Sequence, residues 1–120
     1  MVVRAIRGAI QIDSDDRSNV LQATAELVTK VMHANSLESA DLISVWFTAT
    51  SDVTSEFPAV AARELGLGDV PLMCSVEMDV VGALPRIIRL MMHVETKTAR
   101  SEIQHIYLRG AQGLRSDLAQ

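Results

Sequence analysis

The chain has 120 residues, 48% of them apolar, which suits one domain with one core and excludes a disordered segment. Aromatic residues make up only 3% and the formal net charge is −4, so a base-stacking surface and a general affinity for nucleic-acid phosphates or anionic membranes are both disfavoured. Any positive site has to be built locally, against the sign of the whole.

Val2 to Ile12 reads as a strand, with Val3, Ala5, Arg7 and Ala9 on one face and Val2, Arg4, Ile6 and Gly8 on the other. SDD at 14–16 supplies a capping residue and acids for a helix start. From Arg17 to about Ala34, Val20, Leu21, Thr24, Leu27, Val28 and Val31 recur at helical spacing, and Asn35 and Ser36 end the run. Leu42 to Thr50 returns to a β pattern, with Ile43, Val45, Phe47 and Ala49 expected on one face. Pro58 fits the first turn of a short helix and Gly66 its stop. Leu72 to Ser75 is a short strand, Gly82 to Pro85 a turn, Ile87 to Glu95 a strong strand and His105 to Leu108 a final short one. The tail from about residue 109, RGAQGLRSDLAQ, has little periodicity and is expected to be mobile.

These elements describe an α+β or α/β domain spanning 1–120. Two helices can cover one face of such a sheet. Ile87 to Val94 is apolar on both faces, so the other face calls for a further subunit. One cysteine, Cys74, excludes an internal disulfide and suits a reducing compartment. The opening MVVRAIRGAIQID lacks a signal-peptide run, and no apolar run reaches the roughly 18 residues of a membrane span. A soluble cytoplasmic protein is therefore expected.

The residues that stand out chemically are charges in apolar surroundings. Arg89 sits among Ile87, Ile88, Leu90, Met91 and Met92 and must meet an anion or water. Either it forms a structural ion pair, with Glu77 or Asp79, or it faces an anion in a site. Arg7 is either an exposed edge arginine or a second anion-facing one, next to Gly8, where a ligand could approach closely. Arg63 on the short helix and Arg115 in the tail read as solvated charges. Glu77, at a strand end, reads as a partner for one of the arginines. Cys74 lacks a nucleophile signature and reads as a small buried residue. His33, His93 and His105 have no ligand spacing, so no metal site is expected. No glycine-rich phosphate loop and no nucleophile elbow is present. This set suits binding of a small polyanion, and catalysis only where no covalent or redox step is needed.

The pieces IRGA (6–9), TATSD (48–52), FPAVAARELG (57–66), VPLMCSVEMDVVGALPRIIRLMMHVET (70–96), HIYLRGA (105–111) and LRSDL (114–118), in this order, resemble the small monofunctional chorismate mutases of the α/β trimeric class. That resemblance implies an α+β chain, a mixed β-sheet packed with helices, assembled as a pseudo-α/β-barrel homotrimer with active sites between subunits. It implies conversion of chorismate to prephenate without cofactor, metal or covalent intermediate. Arg89 would donate to the ether oxygen, Arg7 and Tyr107 would bind the enolpyruvyl carboxylate, and Glu77 and the backbone at Cys74 would accept from the ring hydroxyl. Phe57 would form an apolar wall closed by Leu114, Arg63 and Arg115 would attract the ring carboxylate, and Leu72 and Met73 would complete the segment that faces the substrate. Val60 stands where relatives can carry lysine and Met73 where threonine is familiar, which bears on affinity more than on the reaction. The alternative from another class is a non-catalytic oligomeric binder of small aromatic dianions.

Overall fold

A computed structural model describes residues 1–118, with side chains up to Leu114. Strand β1 (Val2–Gln11) leads into helix α1 (Arg17–Ala34) and then strand β2 (Leu42–Ala49). Helix α2 (Pro58–Ala62) widens into a π-type turn, Arg63–Leu67, before strand β3 (Leu72–Val76). Strand β4 (Ile87–Thr96), strand β5 (Ile106–Leu108) and a 3-10 run, Arg109–Leu118, complete the chain.

Local chemistry sets the boundaries. Asp16 caps α1 by accepting the Asn19 N–H at 2.8 Å. Asn35 closes its other end, and its side-chain amide donates to the Val31 carbonyl at 2.8 Å. Pro58 opens α2, where its missing N–H costs nothing. Gly66 turns the chain away at φ 95°, a conformation that favours glycine.

The sheet runs in the order β3-β2-β4-β1-β5. Strand β4 is antiparallel to both β1 and β2, whereas β5 runs parallel to β1 and β3 parallel to β2. Both helices lie on one face. Ile6, Ile10, Leu27, Val31, Phe47 and Met92 are among the residues fully buried between the layers. Each such side chain contributes about 1.5–3 kcal/mol by leaving water.

Two details differ from the sequence pattern. Strand β2 carries an irregularity between Leu42 and Ser44, so Leu42 joins Val45 and Phe47 on the core face. Ile43 is the extra residue and is exposed instead of buried, because a bulge breaks the two-residue period. At Gly8, an added Cβ would lie 3.2 Å from both Leu27 and Val31 and 3.3 Å from Leu90. The missing side chain therefore serves the close approach of α1 to the sheet, and Gly8 also borders the cavity lined by Arg7 and Arg89. The tail begins as the 3-10 run, and its Ala111 is fully buried against Ala9, Ile87 and Tyr107.

Candidate active site

Register decides which side chains share the face that the helices leave open. Met91 lies opposite both Arg7 and Trp46, and Trp46 lies opposite Met73. Arg89 lies opposite both Ala9 and Thr48, Thr48 opposite Ser75, and Ala9 opposite Tyr107. Cross-strand partners point to the same side of a sheet. Arg7, Arg89, Thr48 and Tyr107 thus converge from four different strands.

They line a cavity of about 370 Å³, together with Glu77, Trp46, Ser75 and Met91. That volume suits a small organic ligand. Arg89 meets Glu77 there, Nε to Oε2, at 3.2 Å. The pair is partly open to solvent, with 41% of the arginine side chain and 31% of the glutamate exposed. The second carboxylate oxygen of Glu77 accepts the Met78 N–H at 2.9 Å, which fixes the orientation of the carboxylate. The ion pair anticipated for Arg89 therefore exists, but it sits in the wall of the cavity and is not sealed in the core.

The hydrogen-bond inventory of this wall is incomplete. Among the described residues, four buried side-chain polar atoms lack a hydrogen-bond partner: Nε of Arg7, Nε of Arg89, Oγ1 of Thr48 and Oγ1 of Thr24. Three of the four belong to residues lining this one cavity. The Arg89 Nε–H lies near Glu77 without pointing along a hydrogen bond to it. Buried polar groups are costly when unmet, so their clustering singles out this cavity as the candidate site.

Other sequence-selected residues gather elsewhere. Phe57 and Cys74 line a separate hollow of about 240 Å³ with Thr54, Glu56 and Val76. Ser75 borders both this hollow and the arginine-lined cavity. Phe57 is 67% exposed at the start of α2. Its loop is tied down by Asp15, whose carboxylate accepts from the backbone N–H and hydroxyl of both Thr54 and Ser55. Hydrogen bonding, first from the Ser55 side chain, holds the Asp15 carboxyl below its ordinary value. Glu56, lowered first by the Phe57 N–H, pairs with Arg17 at 2.9 Å.

Leu72 and Cys74 pack against the helix-side core, whereas Met73 is exposed on the other face. Burial pushes the Cys74 thiol up, against weaker opposite effects from the Ala59 backbone and Arg63, so it is a poor thiolate. Strand β3 is an edge of the sheet. The Pro71 carbonyl and the Glu77 N–H bond to β2, so the alternate backbone groups of Leu72, Cys74 and Val76 face outward from that edge. Arg63 is exposed at the end of α2, close enough to influence Cys74 and Glu56 electrostatically. Leu114 packs beside Tyr107 and Ala111. The side chain of Arg115 lies outside the described residues.

Thr48, Trp46, Ser75 and Met91 belong to the cavity wall but were not selected from sequence. Alternation against Val45 and Phe47 places Trp46 and Thr48 on the opposite face, and that signal was available. The pairing of β2 with β3, which brings Ser75 beside them, was not. Among the described residues, no group of three or more His, Cys, Asp or Glu side chains is arranged to hold a metal ion, and no helix is long and apolar enough to cross a membrane.

Residues 3–118 match the profile of the family described as chorismate mutase type I. Chorismate mutase AroH of Thermus thermophilus is 46% identical over 118 residues, covering 98% of this chain and 97% of that protein. Chorismate mutase AroH of Bacillus subtilis (strain 168) is 40% identical over 120 residues, covering 99% of this chain and 94% of its own. The solved structure of chorismate mutase from Clostridium thermocellum Cth-682 superposes with a TM-score of 0.91 at 41% identity, covering 92% of this chain and 98% of that one. With the match running from β1 into the tail, the chain belongs to the chorismate mutase type I family.

Proposed function

We infer that this chain converts chorismate to prephenate, in aromatic amino acid biosynthesis, in the cavity between Arg7 and Arg89. The observation that carries this reading is the cluster of unmet buried donors, Arg7 Nε, Arg89 Nε and Thr48 Oγ1, around one hollow of small-ligand size. Chorismate is a dianion whose acceptor oxygens match such donors. In the rearrangement the ether C–O bond breaks while a C–C bond forms from the enolpyruvyl methylene to the ring. The electrons move within one molecule, so no proton is abstracted and no group is transferred out.

Arg89 donates to the ether oxygen as negative charge grows there, a fixed donor worth about 3–4 kcal/mol in the transition state. The partly exposed pair with Glu77 is worth only about 0–1 kcal/mol, so a ligand oxygen can share the guanidinium without a large penalty. Arg7 holds the enolpyruvyl carboxylate with the Tyr107 hydroxyl. Glu77 and the outward backbone of Cys74 accept from the ring hydroxyl. Holding the two reacting carbons together removes part of the entropic barrier.

We further propose that each site is completed by a neighbouring subunit of a homotrimer. Phe57 and Cys74 line a different hollow from Arg7 and Arg89, so on this reading a second copy brings one substrate into reach of both sets. Arg63 and Arg115 would then receive the ring carboxylate, with Phe57, Leu72, Met73 and Leu114 walling the substrate.

Incubation of the purified protein with chorismate alone tests the reading. Chorismate is expected to disappear and prephenate to accumulate, with or without a chelator. Binding of chorismate with no turnover would instead identify a dianion-binding module.

A further inference from the structure

The Arg7 backbone is held by a side chain, His105, that has no part in the proposed reaction. The ladder between β5 and β1 starts at Ile106 opposite Gly8 and runs for three residues. It does not reach Arg7. Where a strand carbonyl would otherwise accept the Arg7 backbone N–H, the imidazole of His105 does so, through Nδ1 at 2.9 Å. A ring nitrogen accepts only while it carries no proton, so this contact specifies the form of the ring.

We propose that His105 is a positioning residue: its Nδ1 pins the Arg7 main chain at the sheet edge and thereby aims the Arg7 guanidinium into the cavity. This rests on the reading that Arg7 binds a substrate carboxylate. Arg7 needs such an anchor because its Nε has no hydrogen-bond partner among the described residues. On its other side lies a hollow of about 430 Å³, lined also by Arg4, His93, Arg100 and His105. A guanidinium between two open hollows has room to turn either way, and the fixed backbone decides which. The imidazole touches Arg7 and not the reacting atoms, so its effect belongs in substrate binding.

Two substitutions of similar polarity separate this role from general support of the fold. His105→Asn keeps an acceptor oxygen near the Nδ1 position, whereas His105→Gln moves the amide one bond further out. Asn is expected to keep KM within about threefold of the parent and Gln to raise it about tenfold or more, with kcat changing less in both. Exchange protection of the Arg7 amide proton should survive in Asn and fall in Gln. In an Arg7→Ala background the KM difference between Asn and Gln should vanish. If Asn and Gln behave alike, or if their difference persists without the Arg7 side chain, His105 does not act through Arg7. If Arg7→Ala alone turns over chorismate like the parent, the carboxylate role of Arg7 has failed, and the aim attributed to His105 falls with it.

Discussion

Arg89 shows how a permanent charge can rest in the middle of an apolar strand. Its neighbours Ile88 and Leu90 face the helices and are buried, and alternation turns the guanidinium toward the open face. There it meets Glu77 at 3.2 Å in a geometry too oblique for a hydrogen bond. A contact of this kind adds little to stability, and it fits the ligand role proposed for the arginine. Arg89→Ala is therefore expected to unfold at nearly the same temperature as the parent while kcat falls by about 10²–10³. Arg89→Lys should recover little, because one ammonium cannot reach two oxygens as a planar fork does. Steady-state kinetics beside a melting curve checks both, and a rise in KM with kcat preserved would reassign Arg89 to ground-state binding. The arginine was legible in the sequence because a charge inside an apolar run has few explanations. Thr48 was not, since threonine is ordinary in a strand and only the register with Arg89 and Ser75 reveals that its hydroxyl is buried and unmet.

At the level of elements, the strands and both helices follow from periodicity, caps and breakers, and the exceptions follow from contacts distant in sequence. The bulge at Ile43 is invisible to a two-residue period, and the value of Gly8 appears only when α1 lies across β1. Another such contact is the clasp from Asp15, just before α1, to the Thr54–Ser55 loop that leads to Phe57. The clasp carries a pH dependence of definite sign. The Asp15 carboxyl is lowered in the folded chain from 3.8, so the unfolded chain takes up its proton more readily. The stabilisation is complete well above 3.8 and is lost as pH falls through the lower, folded value. Asp16, lowered from 3.8 first by the Asn19 N–H, and Glu56, lowered from 4.5, shift in the same direction at the same corner. In an NMR titration the Thr54 and Ser55 amide signals should move with a midpoint below 3.8, and this transition should be missing in Asp15→Asn. A midpoint at or above 3.8 would mean that the clasp adds no stability.

For the whole molecule, the open face of the sheet is the feature that a single chain leaves unexplained. Trp46 is 49% exposed and Met73 56%, and in the loop between β3 and β4 Val81 is 100% exposed. Apolar area of this kind is what the proposed interface between subunits would cover. The expectation of a partner surface arose from β4 being apolar on both faces, but no periodicity within one chain can say which two hollows meet across it. Subunit mixing can decide it. One variant, Arg89→Ala, lacks the arginine half of the site; the other, Phe57→Ala with Arg63→Ala, lacks the opposite half. Each should be nearly inactive alone. In randomly mixed cyclic oligomers a site regains both intact halves when one subunit supplies Arg89 and its neighbour supplies Phe57 and Arg63, so about a quarter of the sites should recover. The recovery should appear after joint unfolding and refolding and be absent when each variant is refolded alone. If every site were contained within one chain, no intact site could form, and the mixture would be as inactive as its components.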